Sequence, residues 1–172
     1  DGHGDPNTSA AYATAIQALY AGAYAIRAAL GARTGDDFVV GPLEGLWTSP
    51  DNSVFAARDK DAWDWTMMIP LPDAVSSQDV ADGLERGARK KPGLPISTLR
   101  ALPLVEGRSL QILHVGTYDD EAATLARLHD EVMPERGLTF NGPHHEIYLS
   151  DPRRVAPERM RTVLRQPVRP VG

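Results

Sequence analysis

One short stretch places acid–base and hydrogen-bonding groups at strand spacing: "HHEIYLSDPRR", residues 144–154. His144, Glu146 and Tyr148 alternate with His145, Ile147 and Leu149, so a strand presents the two sets on opposite faces. Ile147 and Leu149 are expected to pack on helices, which turns Glu146 and Tyr148 the other way. A carboxylate desolvated among aromatic rings is expected to have a raised pKa, which suits a general base near neutral pH. The competing expectation is a glutamate on the solvated face of an antiparallel sheet. What else shares that face decides between the two.

A second stretch bears on the choice. "VGPLEGLWTSP" (40–50) and "NGPHHEIYLSD" (141–151) align without gaps. Gly41-Pro42 falls on Gly142-Pro143, Gly45 on Glu146, Leu46 on Ile147 and Trp47 on Tyr148. Each motif follows a helical stretch and precedes another strand. The pattern predicts one helix-plus-strands unit used twice across a pseudo-twofold axis, against chance likeness of two Gly-Pro strand starts. Trp47 and Tyr148 would then flank a central space, with the Glu146 carboxylate on one side and only Gly45 on the other. Trp63, Trp65 and Met67 form a period-two stripe that either joins this face or packs as core. Large aromatics seldom gather on a solvated sheet without purpose, so the pattern predicts a ligand cleft with Glu146 at its floor.

The surrounding elements must position these groups. Pro6, Asn7, Thr8 and Ser9 are good helix-starting residues. Tyr12, Ile16, Leu19, Tyr20, Ala23 and Ile26 then recur at helical spacing, with Gly31 as the expected stop. "DFVVGPLEGLWTS" reads as a strand broken at Gly41-Pro42, "DAWDWTMMIPLP" as a second strand, and 77–90 as a weaker helix. "LRALPLVEGRSLQILHVGTY" reads as two strands joined by a turn at Glu106-Gly107. "DDEAATLARLHDEVMPERG" is an acid-capped helix with Leu125, Leu128 and Val132 as its stripe. "LTFNGPHHEIYLS" reads as one strand, and "ERMRTVLRQPV" as a short helical turn and a last strand. The 172 residues are expected to form one domain, with internal repeats at about 1–75 and 96–172.

Bulk properties narrow the function classes. Hydrophobic residues make up 42% and charged ones 24%, ordinary for a globular chain. A net charge of −5 argues against nucleic-acid binding. No apolar run reaches the ~20 residues of a membrane helix. The absence of cysteine removes disulfides and thiolate metal sites and fits a cytoplasmic setting. The first residue is Asp1, so the natural N-terminus is expected upstream. Composition leaves the oligomeric state open.

Other constellations carry less. His-x-Glu in "HHE" is half of a zinc-deaminase motif whose Cys-x-x-Cys half does not exist here. His144 and His145 point to opposite faces, and no metal is expected. His114 and His129 read as strand-edge and helix-surface histidines. "GHGDPN" lacks the lysine and spacing of a phosphate cradle, and Asp5 and Asn7 read as turn and cap residues. No G-x-S-x-G occurs, although a dispersed Ser-His-Asp set stays open. "RGARKK" and "DPRR" read as solvated edges, with Arg153 or Arg154 free to pair with an acidic helix.

The "HHEIYLSDPRR" block with its following "APERM" and "RTVLRQPV" resembles the C-terminal signature of GyrI-like small-molecule-binding proteins. "DGHGDPN", "PLEGLWTS", "KDAWDWTMMIPLPD" and "LQILHVGTYDDE" resemble its stand-alone branch, which includes cyclopropanoid cyclopropyl hydrolases. The resemblance implies an α+β fold of duplicated β-α-β-β units with pseudo-twofold symmetry, whose antiparallel sheets form a central ligand cleft. It implies that Glu146 meets aromatic, often cationic, ligands at the cleft floor. It also implies a strand before "DGHGDPN", which this sequence lacks.

Two functions fit one pocket, neither needing a cofactor. In the first, Trp47, Trp63, Trp65 and Tyr148 stack a flat guest bearing a cyclopropane conjugated to a dienone. Glu146 activates water, and Tyr118 donates to the oxygen that gains charge as the ring opens. Gly45, His144 and Met67 complete the ligand-binding set. In the second, Glu146 is the counter-ion of an aromatic cation that the protein sequesters or senses without turnover.

Overall fold

The computed structural model describes residues 1–50 and 59–172. Ser9 starts its longest element, accepting the Tyr12 N–H at 3.2 Å as the N-cap of α1 (Ala10–Thr34). Asp5 closes the turn before it, its Oδ1 accepting from the Asn7 backbone at 2.9 Å. The helix runs past Gly31, the expected stop, and ends at Gly35. There a left-handed φ of 79° lets the Gly35 N–H reach the Gly31 carbonyl. Gly31 stays helical because the left-handed turn falls four residues later.

A capping box opens α2 (Ser77–Lys90), with the bounds that the sequence suggests. Ser76 Oγ accepts from the Asp79 N–H, and an Asp79 oxygen accepts from the Ser76 N–H. The helix lies on α1, where Gly83 permits close approach: a Cβ there would stand 2.5 Å from Ile26 Cα. Arg33 ties the two together, donating to both Asp79 oxygens at 2.8 and 2.7 Å.

Seven strands form the sheet: β1 (Gly2–His3), β2 (Leu43–Thr48), β3 (Asp64–Met68), β4 (Ser109–Val115), β5 (Leu138–Phe140), β6 (His144–Tyr148) and β7 (Arg161–Pro170). All pairings are antiparallel in the order β1-β3-β2-β6-β7-β4, with β5 on the far end of β7. From the β2–β6 seam the order runs outward alike on both sides. The two-residue β1 holds the edge position that β4 fills with seven residues. At the seam Gly45 sits opposite Glu146, Trp47 opposite His144 and Leu43 opposite Tyr148. A further helix, α3 (Glu121–Ala126), continues through a π-helical stretch, Arg127–Val132, into a last turn at Met133–Glu135. No helix among the described residues is long and apolar enough to cross a membrane.

Three expectations need correction. Residues 99–108 form no first strand of a hairpin; only β4 is regular. Glu106 instead reaches the sheet, where it is bound by His145 and Arg165 side chains. The run "LTFNGPHHEIYLS" is two strands, β5 and β6.

The third correction concerns faces. The helices cover the Glu146 face, not the Ile147 face. Tyr12 of α1 stands edge-on to Trp65, with centroids 5.1 Å apart, and Trp65 pairs with Trp47 on the same side as Gly45 and Glu146. The apolar area explains the choice, since Trp47, Trp65, Met67 and Leu164 are all buried on that side. The opposite face carries His145, fully buried between Glu106 at 2.9 Å and Glu44 at 3.0 Å, with Arg165 on Glu106 at 2.8 Å. Burial works against a charged His145, but its hydrogen bonds to Glu44 and Glu106 prevail and raise its pKa.

Candidate functional site

Between α1, α3 and the seam of the sheet lies a cleft of about 1510 Å³. Glu146, Tyr148, Trp47 and Leu43 line its floor, so the seam predicted from the two aligned motifs is where the space opens. A hydrogen-bond chain crosses the floor. Trp47 Nε1 donates to the Tyr148 hydroxyl at 3.1 Å, and that hydroxyl donates to Glu146 Oε2 at 2.7 Å. His144 Nε2 stands 3.4 Å from Glu146 Oε1, without hydrogen-bond alignment.

Aromatic rings continue from the floor up the walls. Trp63 meets Trp47 edge-on with centroids 5.6 Å apart, and Tyr118 meets Tyr148 likewise at 5.6 Å. Edge-to-face contacts of this kind leave ring faces available to a flat guest. Burial, then the nearby Glu121 and Glu146 carboxylates, push the Tyr118 phenol up to about 12. Burial also raises Tyr148, with the Glu146 charge adding to it. Both phenols therefore stay protonated and act as hydrogen-bond donors.

Five of the residues expected at the site line one space: Glu146, Tyr118, Trp47, Trp63 and Tyr148. Four lie behind that surface. Trp65 and Met67 are buried in a cluster with Trp47 under Tyr12, which makes their stripe core rather than cleft wall. Gly45 contributes space instead of contact, since a Cβ there would meet Trp47 Nε1 at 3.0 Å and Met67 Sδ at 3.1 Å. His144 sits beside Glu146 and packs against His129, with ring centroids 6.1 Å apart. His129 is thus no surface histidine, and burial, then His144, push it down to about 4. His114 does lie on the edge strand β4, but its side chain turns inward. It is buried, with Nδ1 3.0 Å from Thr124 Oγ1 and Nε2 3.1 Å from the Thr117 carbonyl.

Sequence reasoning missed two parts of the wall. Tyr12, Ile16, Tyr20 and Tyr24, spaced by four, form a ladder of α1 along the cleft. Their i, i+4 repeat was visible but reads equally well as a core stripe. Glu121, in the first turn of α3, also lines the cleft and is only 5% exposed. Burial first, then the Glu146 charge, push its carboxyl up to about 9. Arg153 and Arg154 pair with Asp151 in their own loop at the cleft's edge. Among the described residues, no group of three or more His, Asp or Glu is placed to hold a metal ion.

Comparison with known proteins places this architecture. Residues 1–169 match the GyrI-like small molecule binding domain. A crystal structure of an uncharacterized conserved protein from Listeria innocua is 39% identical with a TM-score of 0.88, covering 98% of this chain and 84% of that one. Crystal structures of two proteins described as hydrolases from Listeria innocua, one encoded by lin2189, are 38% and 37% identical. Their TM-scores are 0.81 and 0.83, at the same coverage of 98% and 84%. Among curated proteins no significant match is found. With its length matched almost throughout and its fold shared by relatives at this level of identity, the chain belongs to the GyrI-like family of small-molecule-binding domains.

Proposed function

We propose that the cleft binds a flat, drug-like aromatic molecule and detoxifies it by hydrolysis, opening a cyclopropane-type electrophile with water. The observation that carries this reading is the Trp47–Tyr148–Glu146 chain at the floor of an aromatic cleft. A cyclopropane conjugated to a dienone is strained and already electrophilic, so the protein has only to orient the ring and deliver water. Trp47, Trp63 and Tyr148 hold the plane of the guest. Tyr148 fixes one oxygen of Glu146, leaving the other to accept a proton from the attacking water. Tyr118 donates a hydrogen bond to the oxygen that gains charge as the ring opens. The two Listeria innocua proteins described as hydrolases support an enzymatic reading.

The test is incubation with an aromatic-fused spirocyclopropyl dienone, followed by mass spectrometry for the gain of one water. Glu146→Gln is expected to keep binding and to lose turnover by about 10²–10⁴-fold, the range of a positioned base. Turnover unchanged in that variant removes Glu146 from the chemistry. A second reading rests on the same carboxylate among aromatic rings: a non-catalytic module for aromatic cations, with cation–π attraction of ~0.5–2 kcal/mol per ring. Tight binding with the compound recovered intact, and selective loss of cationic ligands in Glu146→Gln, favours that module.

A further inference from the structure

Three carboxyl groups line the cleft. Asp151 is held by Arg153 and Arg154, and of the other two the reading above uses only one. Glu121 comes from the helix wall and Glu146 from the sheet floor. Their surroundings differ. Glu146 receives the Tyr148 hydroxyl. The Glu121 side chain is buried, and its Oε1 has no hydrogen-bond partner among the described residues. A buried carboxyl oxygen without a donor costs free energy if the group is ionised, so it is retained at such a position only in neutral form or for a ligand. The Glu121 side chain belongs to the cleft wall, with this oxygen beneath the accessible surface.

We propose that Glu121 carries a proton in the resting protein and uses it to bind an oxygen of the ligand, a ketone or quinone-like carbonyl, opposite Glu146. This deepens the proposed function and rests on the cleft being the ligand site. The charged groups that bear on Glu121 are Glu146 on β6, Asp119 just before α3, and Lys60, which reaches Asp119 at 3.2 Å. Glu146 and Asp119 favour the neutral acid. Lys60 and Thr162 oppose it without cancelling burial. At neutral pH the carboxyl is therefore a donor, whereas an ionised glutamate could only accept.

The arrangement divides the work of hydrolysis between two acids held in opposite states. The water oxygen bonds to the ring methylene, and the cyclopropane C–C bond breaks. The electron pair of that bond runs into the dienone and leaves the carbonyl oxygen as a phenolate. Glu146 takes the proton lost by the water, and Glu121 gives its own to the phenolate. The products are a phenol and a primary alcohol. The proton on Glu146 returns to Glu121 by exchange, and the pair's total charge is unchanged. Tyr118, a weaker acid, donates a hydrogen bond without surrendering its proton.

The experiment separates the donor from the hydrolysis. Wild type, Glu121→Gln and Glu121→Leu are titrated by tryptophan fluorescence with a planar polycyclic ketone and with the same ring system carrying a methylene in place of the carbonyl. Wild type and Glu121→Gln, whose amide still donates, are expected to prefer the ketone by about tenfold, the worth of one good hydrogen bond. Glu121→Leu is expected to lose most of that preference, keeping only the part that the Tyr118 hydroxyl supplies. A full ketone preference in Glu121→Leu overturns the assignment. Infrared difference spectra at neutral pH supply a readout independent of ligand: wild type should show a protonated-carboxyl band that Glu121→Gln lacks, and its absence equally overturns the proposal. If the spirocyclopropyl dienone is not hydrolysed but the ketone preference behaves as expected, the enzymatic reading fails and the Glu121 donor stands.

Discussion

Tyr148 both gives and receives at the cleft floor, accepting from Trp47 Nε1 and donating to Glu146 Oε2. Tyr148→Phe leaves the indole N–H without an acceptor and the carboxylate with one donor fewer. It is expected to lower stability by ~1–3 kcal/mol, the cost of orphaned buried groups. Trp47→Phe removes the other end of the chain. Measured by chemical denaturation, the two changes together should depart from additivity by at least ~0.5 kcal/mol, as groups in one network do. Additive effects would mean that the chain is not a unit. At this scale the sequence was partly legible. Alternation along "PHHEIYLS" and its match to "PLEGLWTS" bring Glu146, Tyr148 and Trp47 to one face, and there they lie. Glu121 was hidden because Asp119, Asp120 and Glu121 together read as charge complementing a helix start. Only tertiary packing buries the third of them.

Among elements, the crossing of α1 and α2 is set by the smallest side chain available. Gly83→Ala would place a Cβ within 2.5 Å of Ile26 Cα and 2.7 Å of its nitrogen, against backbone that cannot turn aside. The substitution is expected to destabilise by ~1–3 kcal/mol despite the better helix propensity of alanine, because overpacking outweighs it. A melting temperature equal to or above wild type would refute this. The Tyr ladder of α1 lines the cleft from the helix that α2 braces, so a shifted α1 should also weaken binding of flat aromatics. Helix starts were legible because their caps are local: Ser9 and Ser76 bond to backbone three residues on. Residues 99–108 were not, because the apolar run "ALPLV" suits a strand while Glu106 is drawn to His145 and Arg165 across the chain. The sheet's covered face was misjudged for a related reason. Ile147 and Leu149 are apolar, but the opposite face buries two tryptophans and a methionine.

For the molecule as a whole, the sheet separates two kinds of chemistry. Its helix-covered face holds the aromatic cleft, and its back face holds His145 between Glu44 and Glu106, with Arg165 completing the cluster. A histidine whose folded pKa is raised stabilises fully below its unfolded value, near 6.5, and loses that contribution as pH rises through the folded value. Wild type should therefore lose melting temperature relative to His145→Phe as pH climbs from about 6 to about 9. A pH-independent difference between the two would exclude a charged His145.

The strand order runs outward alike from the seam, yet the seam carries its carboxylate on one strand and Gly45 on the other. On the proposed reading, a long flat guest laid across it could be turned end for end over the same order of strands. It cannot be turned without moving its reactive end away from Glu146. On that reading charge, not strand order, selects the pose. On the proposed hydrolytic reading, such a cleft would act on a single terminus of each guest, its discrimination set by polarity along the guest's long axis.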